Sequence, residues 1–258
     1  MLGLASNVPL AGIERSCKFS QGGLSRERLL MGQAPDQLAG TPLALAHVTL
    51  DMPSGARSAY EHDYQRANFV YLGFDGTADS LSYRFYLEFP VNLAHQLDPA
   101  TGQLTKALWA RGYKWDALGP DQQKHDVTEY WWHPRLTVEQ ISRKVNALVS
   151  QQSDAAKALT GKAIDLARLR SNALEWQFLE ATEPASARHS FDLNLYQADV
   201  RLTELTAELT ALGSTMGIPS DEVTAFMRDA GASTLGHVSG GLGRDGLPFI
   251  TLYYADPE

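Results

Sequence analysis

Apolar and polar residues alternate with period two over several stretches of this chain, the pattern of a strand with one buried face. In Leu45 to Met52, His47, Thr49 and Asp51 fall on one side, and Ala46, Val48, Leu50 and Met52 on the other. In Ser82 to Phe89 the split is Ser82, Arg84, Tyr86 and Glu88 against Tyr83, Phe85, Leu87 and Phe89. In Ser190 to Tyr196 it is Ser190, Asp192, Asn194 and Tyr196 against Phe191, Leu193 and Leu195. Further strands are predicted over Asn68–Phe74, Leu108–Asp116, Val127–His133, Leu174–Glu180, Thr234–Ser239 and Phe249–Tyr254. Turn chemistry joins several of them: Asp75-Gly76 through Asp79-Ser80, Glu183-Pro184, and Gly243-Arg-Asp-Gly246.

A helical period takes over between the later strand pairs. Val138, Ile141, Val145 and Leu148 share a face behind a Thr137/Gln140 capping box. Leu159, Ala163, Leu166 and Arg170 mark a second helix, Leu202, Leu205, Leu209 and Leu212 a third, and Val223, Phe226, Met227 and Ala230 a fourth. From residue 106 onward the order is therefore strand-strand-helix-helix, repeated, and closed by a last strand pair. Residues 1–40 are expected to be a partly irregular N-terminal segment with a short helix near Ser25–Met31. Residues 41–258 read as a single α+β domain.

Each helix has one apolar stripe and each hairpin one apolar face, so the two pack on each other. The other sheet face carries His47, Thr49, Asp51, Arg84, Tyr86, Glu88, Asp192, Asn194, Tyr196, His237, Thr251 and Tyr253. An open sheet would present these to water. An antiparallel barrel or strongly curled sheet of about nine or ten strands, with paired helices outside, would gather them around a ligand-sized lumen. Periodicity leaves both open, and the large aromatics favour the second.

With 22 Lys and Arg against 30 Asp and Glu, the net charge is -8, which argues against nucleic acid as partner and makes any anion site local. Cys17 is the only cysteine, so an intrachain disulfide and a Cys-rich zinc site are excluded. The seven histidines lack metal-ligand spacing. No apolar run is long enough to span a membrane, and a cytoplasmic protein is expected. Ser239-Gly-Gly-Leu-Gly243 lacks the strand-to-helix context of a phosphate loop and reads as a bulged hairpin turn.

Tyr71-Leu-Gly-Phe-Asp-Gly76 followed by Asp79-Ser-Leu-Ser-Tyr-Arg-Phe-Tyr-Leu-Glu-Phe89 resembles the strand-turn-strand units of the aromatic prenyltransferases of ABBA or PT-barrel type. The hairpin from His237 to Tyr254 resembles their last strand pair, and the ββαα order matches. The resemblance implies a transferase of secondary metabolism that moves an isoprenoid from an allylic diphosphate to an electron-rich aromatic small molecule inside a barrel lumen. On that basis Arg84 and Lys114 would hold the diphosphate, and Tyr86, Tyr196 and Tyr253 would shield the allylic cation. Glu88, Asp51 or His47 would orient the acceptor and take its proton, with Asp192 and Asn194 also contacting substrate. Few basic residues accompany these carboxylates, a poor cradle for a diphosphate unless Mg²⁺ bridges them, so Mg²⁺ is a possible cofactor and no other is expected. A non-catalytic protein binding a small polar or cationic aromatic ligand in the same lumen is the alternative, favoured by the acidic residues. Arg84 and Tyr86 also have a plain reading as a cross-strand pair on a solvated sheet.

Overall fold

The computed structural model describes residues 12–26, 28–39, 45–76, 81–90, 105–118, 123–150, 153–184 and 186–255. The turn expected through Asp79-Ser80 and most of the irregular stretch 91–105 lie outside them. The strands are β1 (Gly12–Ser20), β2 (Gly23–Ser25), β3 (Arg28–Gln33), β4 (Phe69–Gly76), β5 (Leu81–Glu88), β6 (Ala107–Asp116), β7 (His125–Trp132), β8 (Gln177–Thr182), β9 (His189–Asn194), β10 (Thr234–Leu242) and β11 (Pro248–Ala255). The helices are α1 (Pro35–Leu38), α2 (Ala46–Thr49), α3 (Ser54–Tyr64), α4 (Val138–Val149), α5 (Asp154–Arg170), α6 (Thr206–Thr215) and α7 (Ser220–Ala230).

Hydrogen bonding runs β11-β10-β9-β8-β7-β6-β5-β4-β3-β1-β2, and β11 also pairs with β1. The order therefore returns on itself through ten strands, as in a closed antiparallel barrel. Closure depends on β1, in the segment expected to be irregular. The helix expected near Ser25–Met31 is β2 and β3 instead. Lys18 faces Thr251 across the β1–β11 ladder, and Arg28 faces Asp75 across β3–β4. Pairing partners far away in sequence settle a stretch whose own pattern is weak.

The chain divides into two compact units, residues 1–14 with 27–131 and residues 15–26 with 132–258. In the second unit, Phe178, Phe191, Leu193, Val238, Ile250 and Leu252 pack against the apolar stripes of α4–α7, including Ile141, Val145, Leu159, Leu209 and Phe226. The Thr137 box caps α4 as its spacing predicts, Gln140 N–H donating to Thr137 Oγ1 at 3.3 Å and Thr137 N–H to Gln140 Oε1 at 2.8 Å. Ser239–Leu242, expected to be a turn, is the end of β10 and the turn follows at 243–246. Gly241 has φ 143°, and a Cβ there would strike the backbone of His189 and Ser190. Only glycine lets β9 approach so closely.

In the first unit, α3 lies on β4, β5 and β6. Ala56, Tyr60 and Asp63 are its buried positions, one turn apart, and Tyr60 packs its ring on Phe85 at 5.0 Å and Tyr113 at 5.6 Å. The third position is a carboxylate, which hides the stripe from a purely apolar pattern. Asp63 is satisfied there by Arg111 Nη1, at 3.2 and 2.9 Å, and by the Tyr113 hydroxyl at 2.6 Å. Arg111 also donates to Glu129 at 3.0 Å, tying α3 to β6 and β7.

Burial, with Tyr64 and Tyr113 beside it, holds the Tyr60 hydroxyl above the ordinary tyrosine range. Burial and then Asp63 do the same to Tyr113. Both phenols stay neutral in the folded chain at pH values where the unfolded chain ionises them. Their contribution is complete below about pH 10 and declines as pH rises beyond it, by about 1.4 kcal/mol per pH unit per group. Urea melts at pH 8, 9.5 and 11 should show constant stability across the first pair and a steep loss at the third. A Tyr60→Phe, Tyr113→Phe double variant should lessen that loss, the partly buried Tyr64 and Tyr71 hydroxyls contributing the remainder.

Candidate functional site

Leu45–Met52 alternates like a strand but folds as α2 and a turn. Leu50 N–H donates to Ala46 O, and the Trp115 indole N–H donates to Leu50 O at 3.0 Å. The His47 ring packs tilted on Tyr60 at 4.9 Å with Nε2 3.5 Å from Glu61, and Asp51 sits in the turn at φ 52°. The strand expected to carry these two residues does not exist. They lie on the helix side of the first unit, apart from Arg84, Tyr86 and Glu88. Anchoring to Tyr60 and Trp115 overrides the local alternation.

The opposite face of β3–β7 holds the remaining candidates of this unit. On β5, Phe85 and Leu87 point into the helix-covered core, so Ser82, Arg84, Tyr86 and Glu88 share the other face. Register then fixes their neighbours. Arg84 lies between Gly73 and Lys114, Tyr86 between Tyr71 and Gly112, and Glu88 between Phe69 and Ala110. These three rows succeed one another along β5, about 7 Å apart.

The Arg84 row is cationic. Arg84 Nη2 donates to Asp75 Oδ2 at 2.9 Å, and Arg28 Nε lies 3.9 Å from the same oxygen. One carboxylate thus serves two guanidiniums, with Lys114 opposite Arg84. The Arg28 side chain is only 5% exposed, and its Nη1 has no hydrogen-bond partner among the described residues. Leaving such a donor unsatisfied costs about 1–3 kcal/mol, which an anion at this row would recover.

The next row is aromatic. The Tyr86 and Tyr130 rings meet edge-on at 5.6 Å, and Tyr71 meets Phe69 at 4.8 Å. Glycine makes room for them: a Cβ on Gly32 would come within 2.5 Å of both Phe69 and Tyr71. Burial first, then the charges of Glu88 and Glu14, push the Tyr71 hydroxyl above the usual range. Tyr71 is therefore a neutral donor beside the carboxylate row.

In the second unit, β9 carries Asp192 and Asn194 on the face away from the helices. Tyr196 lies beyond the end of β9. Asn194 Oδ1 accepts from Tyr196 N–H at 3.1 Å, turning the chain into a 3₁₀ segment. The Tyr196 ring then lies over Gly236, where a Cβ would collide with it, and its edge meets the His237 ring at 5.5 Å. Tyr253 meets His237 at 5.7 Å. Asp192 Oδ1 lies 2.6 Å from His237 Nδ1. Lys18, on β1, has its ammonium 5.1 Å from the centre of the Phe249 ring. Ser16, Ser190, Ser239 and Thr251 on this face are all buried, which a sheet face open to water would not give.

Arg28, Asp75, Tyr71 and Tyr130 were not singled out by the sequence. Tyr71 and Tyr130 are legible afterwards, at alternate positions of recognised strands. Arg28 and Asp75 become partners only through the β3–β4 ladder. Among the described residues, no group of three His, Cys, Asp or Glu could hold a metal, and Asp75 is already engaged by two arginines. The cationic row does not fit a protein-held Mg²⁺.

This architecture is the PT barrel, the fold of the ABBA-type aromatic prenyltransferases. Among solved structures the chain is similar to 6-dimethylallyl tryptophan synthase, with TM-score 0.59 over 95% of this chain and 81% of that one. It is also similar to 5-dimethylallyltryptophan synthase from Streptomyces coelicolor, at 0.57 over 94% and 80%, and to AnaPT from Neosartorya fischeri, at 0.56 over 94% and 78%. Identity is 13% in each case, so the likeness is one of fold. No protein-family model and no curated protein matches the sequence.

Proposed function

We propose that the chain is an aromatic prenyltransferase. Supporting this is the order along β5 of a cationic row, an aromatic row and a carboxylate. Arg28, Arg84 and Lys114 bind the diphosphate of an allylic donor, and Asp75 holds the two guanidiniums in place. As the carbon–oxygen bond to the diphosphate breaks, the electron pair leaves with the phosphate oxygen. The negative faces of Tyr86, Tyr71 and Tyr130 stabilise the allylic cation. Glu88, with the Tyr71 hydroxyl beside it, orients an electron-rich aromatic acceptor. The tryptophan synthases of the same fold make indoles the first acceptors to try. The carrying observation is Arg28, a buried guanidinium whose Nη1 lacks a partner among the described residues.

The test is thermal stabilisation by dimethylallyl diphosphate and its thiolo analogue, with mass analysis of products formed with L-tryptophan, indole and a dihydroxynaphthalene. Because no step runs through a metal, stabilisation should persist in EDTA. A flat response to allylic diphosphates, with a clear one to aromatic amines alone, would replace the transferase with the non-catalytic binder.

Among the described residues no helix is long and apolar enough to cross a membrane.

A further inference from the structure

We infer that the first unit carries a second ligand site, for a zwitterionic amino acid with an apolar side chain, on the helix side of β5 and β6. A cavity of about 600 Å³, the size of small-molecule sites, opens there. Asp51 and Met52 ahead of α3, Arg57 in α3, Tyr83 on β5, and Trp115 and Asp116 on β6 line it. Tyr83 and Trp115 pack with the helix-covered core. Their neighbours Arg84 and Lys114, paired in the next row of the β5–β6 register, face the other way. The cavity and the cationic row therefore lie on opposite faces of the same two strands. All of the lining residues belong to the first unit, and none is a group used in prenyl transfer.

Charges of both signs line this cavity without meeting one another. Arg28, Arg84, Arg111, Arg188 and Arg244, all withdrawn in part from water, each meet a carboxylate. Arg57 is also partly buried, yet it pairs with no carboxylate among the described residues, although Asp51 and Asp116 share its cavity. Its Nη2 donates to Met52 O at 3.0 Å, and its Nε has no hydrogen-bond partner among the described residues. Asp116 Oδ1 accepts from Leu118 N–H at 3.0 Å, and the Asp51 carboxylate accepts from no described residue. A structural ion pair would bring these groups together, since charges held apart forgo their attraction and keep the cost of partial burial.

A ligand carrying both signs closes the gap. Its carboxylate meets the planar fork of Arg57, and its ammonium meets Asp51 and Asp116. Tyr83 and Trp115, in tilted contact at 5.7 Å, offer aromatic faces to the ammonium and to an apolar side chain. Leu118 is 60% exposed and lines the same cavity, so that side chain has apolar surface to cover. The walls are fixed before a ligand arrives. The Trp115 indole N–H holds Leu50 O at 3.0 Å, and Ser54 Oγ donates to Gln123 Oε1 at 3.1 Å, tying the start of α3 to the segment before β7.

Calorimetric titration of the full chain with L-phenylalanine, 2-phenylethylamine and 3-phenylpropionate tests the site, these probes carrying both charges, the ammonium alone and the carboxylate alone. Wild type should bind L-phenylalanine about tenfold more tightly than either of the others, one charged contact being lost in each. Arg57→Gln should weaken L-phenylalanine about tenfold and leave 2-phenylethylamine unchanged. An Asp51→Asn, Asp116→Asn double variant should weaken L-phenylalanine and 2-phenylethylamine about a hundredfold and leave 3-phenylpropionate unchanged. Asparagine tolerates the φ of 52° at residue 51, and the probe whose binding is retained reports that each variant is folded. Arg84→Ala and Glu88→Gln, on the other strand face, should bind L-phenylalanine as wild type does. Absence of saturable L-phenylalanine binding by wild type, or binding that Arg57→Gln and the double variant leave intact, would overturn the site. Stabilisation by dimethylallyl diphosphate is read separately and decides only the transferase reading.

Discussion

Arg84→Ala should weaken dimethylallyl diphosphate binding about 100-fold while leaving the unliganded protein folded. Arg84 lies between Gly73 and Lys114 in the register, and its guanidinium reaches Asp75 at 2.9 Å. Its loss removes a charged donor from the row and leaves the Asp75 carboxylate less fully compensated, with Arg28 still beside it, so that it repels the diphosphate. Hydrogen bonds to charged groups are worth about 1.5–3 kcal/mol each, so two such effects at the low end of that range amount to roughly a hundredfold. Donor present at 100 times its dissociation constant stabilises the wild type by about 2.7 kcal/mol, and the variant by only about 0.4 kcal/mol. In a chain of this size that difference is a thermal shift of roughly 5–9 °C. Arg84→Lys should recover part of it, because the charge returns without the planar fork. An unchanged shift in Arg84→Ala would place the diphosphate elsewhere.

The largest effect on stability should come from Asp63→Ala, an expected loss of about 3–5 kcal/mol or roughly 6–20 °C. Asp63 is 2% exposed and accepts from Arg111 and Tyr113. Removing it leaves the half-buried Arg111 guanidinium with Glu129 but without its buried partner, and the Tyr113 phenol without its acceptor, between α3 and β6. Burial disfavours the Arg111 charge, and Asp63 and Glu129 together outweigh that effect. The penalty arises from breaking the pair, so removing both partners should cost much less. Chemical denaturation of Asp63→Leu, Arg111→Met and the double variant forms the test. Additive losses would show that the residues do not act as a unit.

Both experiments concern contacts that differ in how far the sequence revealed them. The Arg84, Tyr86 and Glu88 series was readable because alternation places every second residue of β5 on one face. The helix stripes around Ile141, Leu159, Leu209 and Phe226 were readable for the same local reason. Asp63 was not, since a carboxylate in the apolar stripe of α3 makes sense only once Arg111 and Tyr113 are opposite it. His47 and Asp51 misled, because an eight-residue alternation was weaker than the pull of Tyr60 and Trp115.

Local periodicity, which depends on residues a few positions apart, determined the strand pairs, the later helices, their order and the β5 series. Neighbours distant along the chain were decided only in three dimensions. The β1–β11 pairing, the sharing of Asp75 by Arg28 and Arg84, and the Asp192–His237 contact all follow from which strands lie side by side and in what register. A strand's own sequence specifies which of its faces is buried, but its partner specifies what each exposed side chain meets.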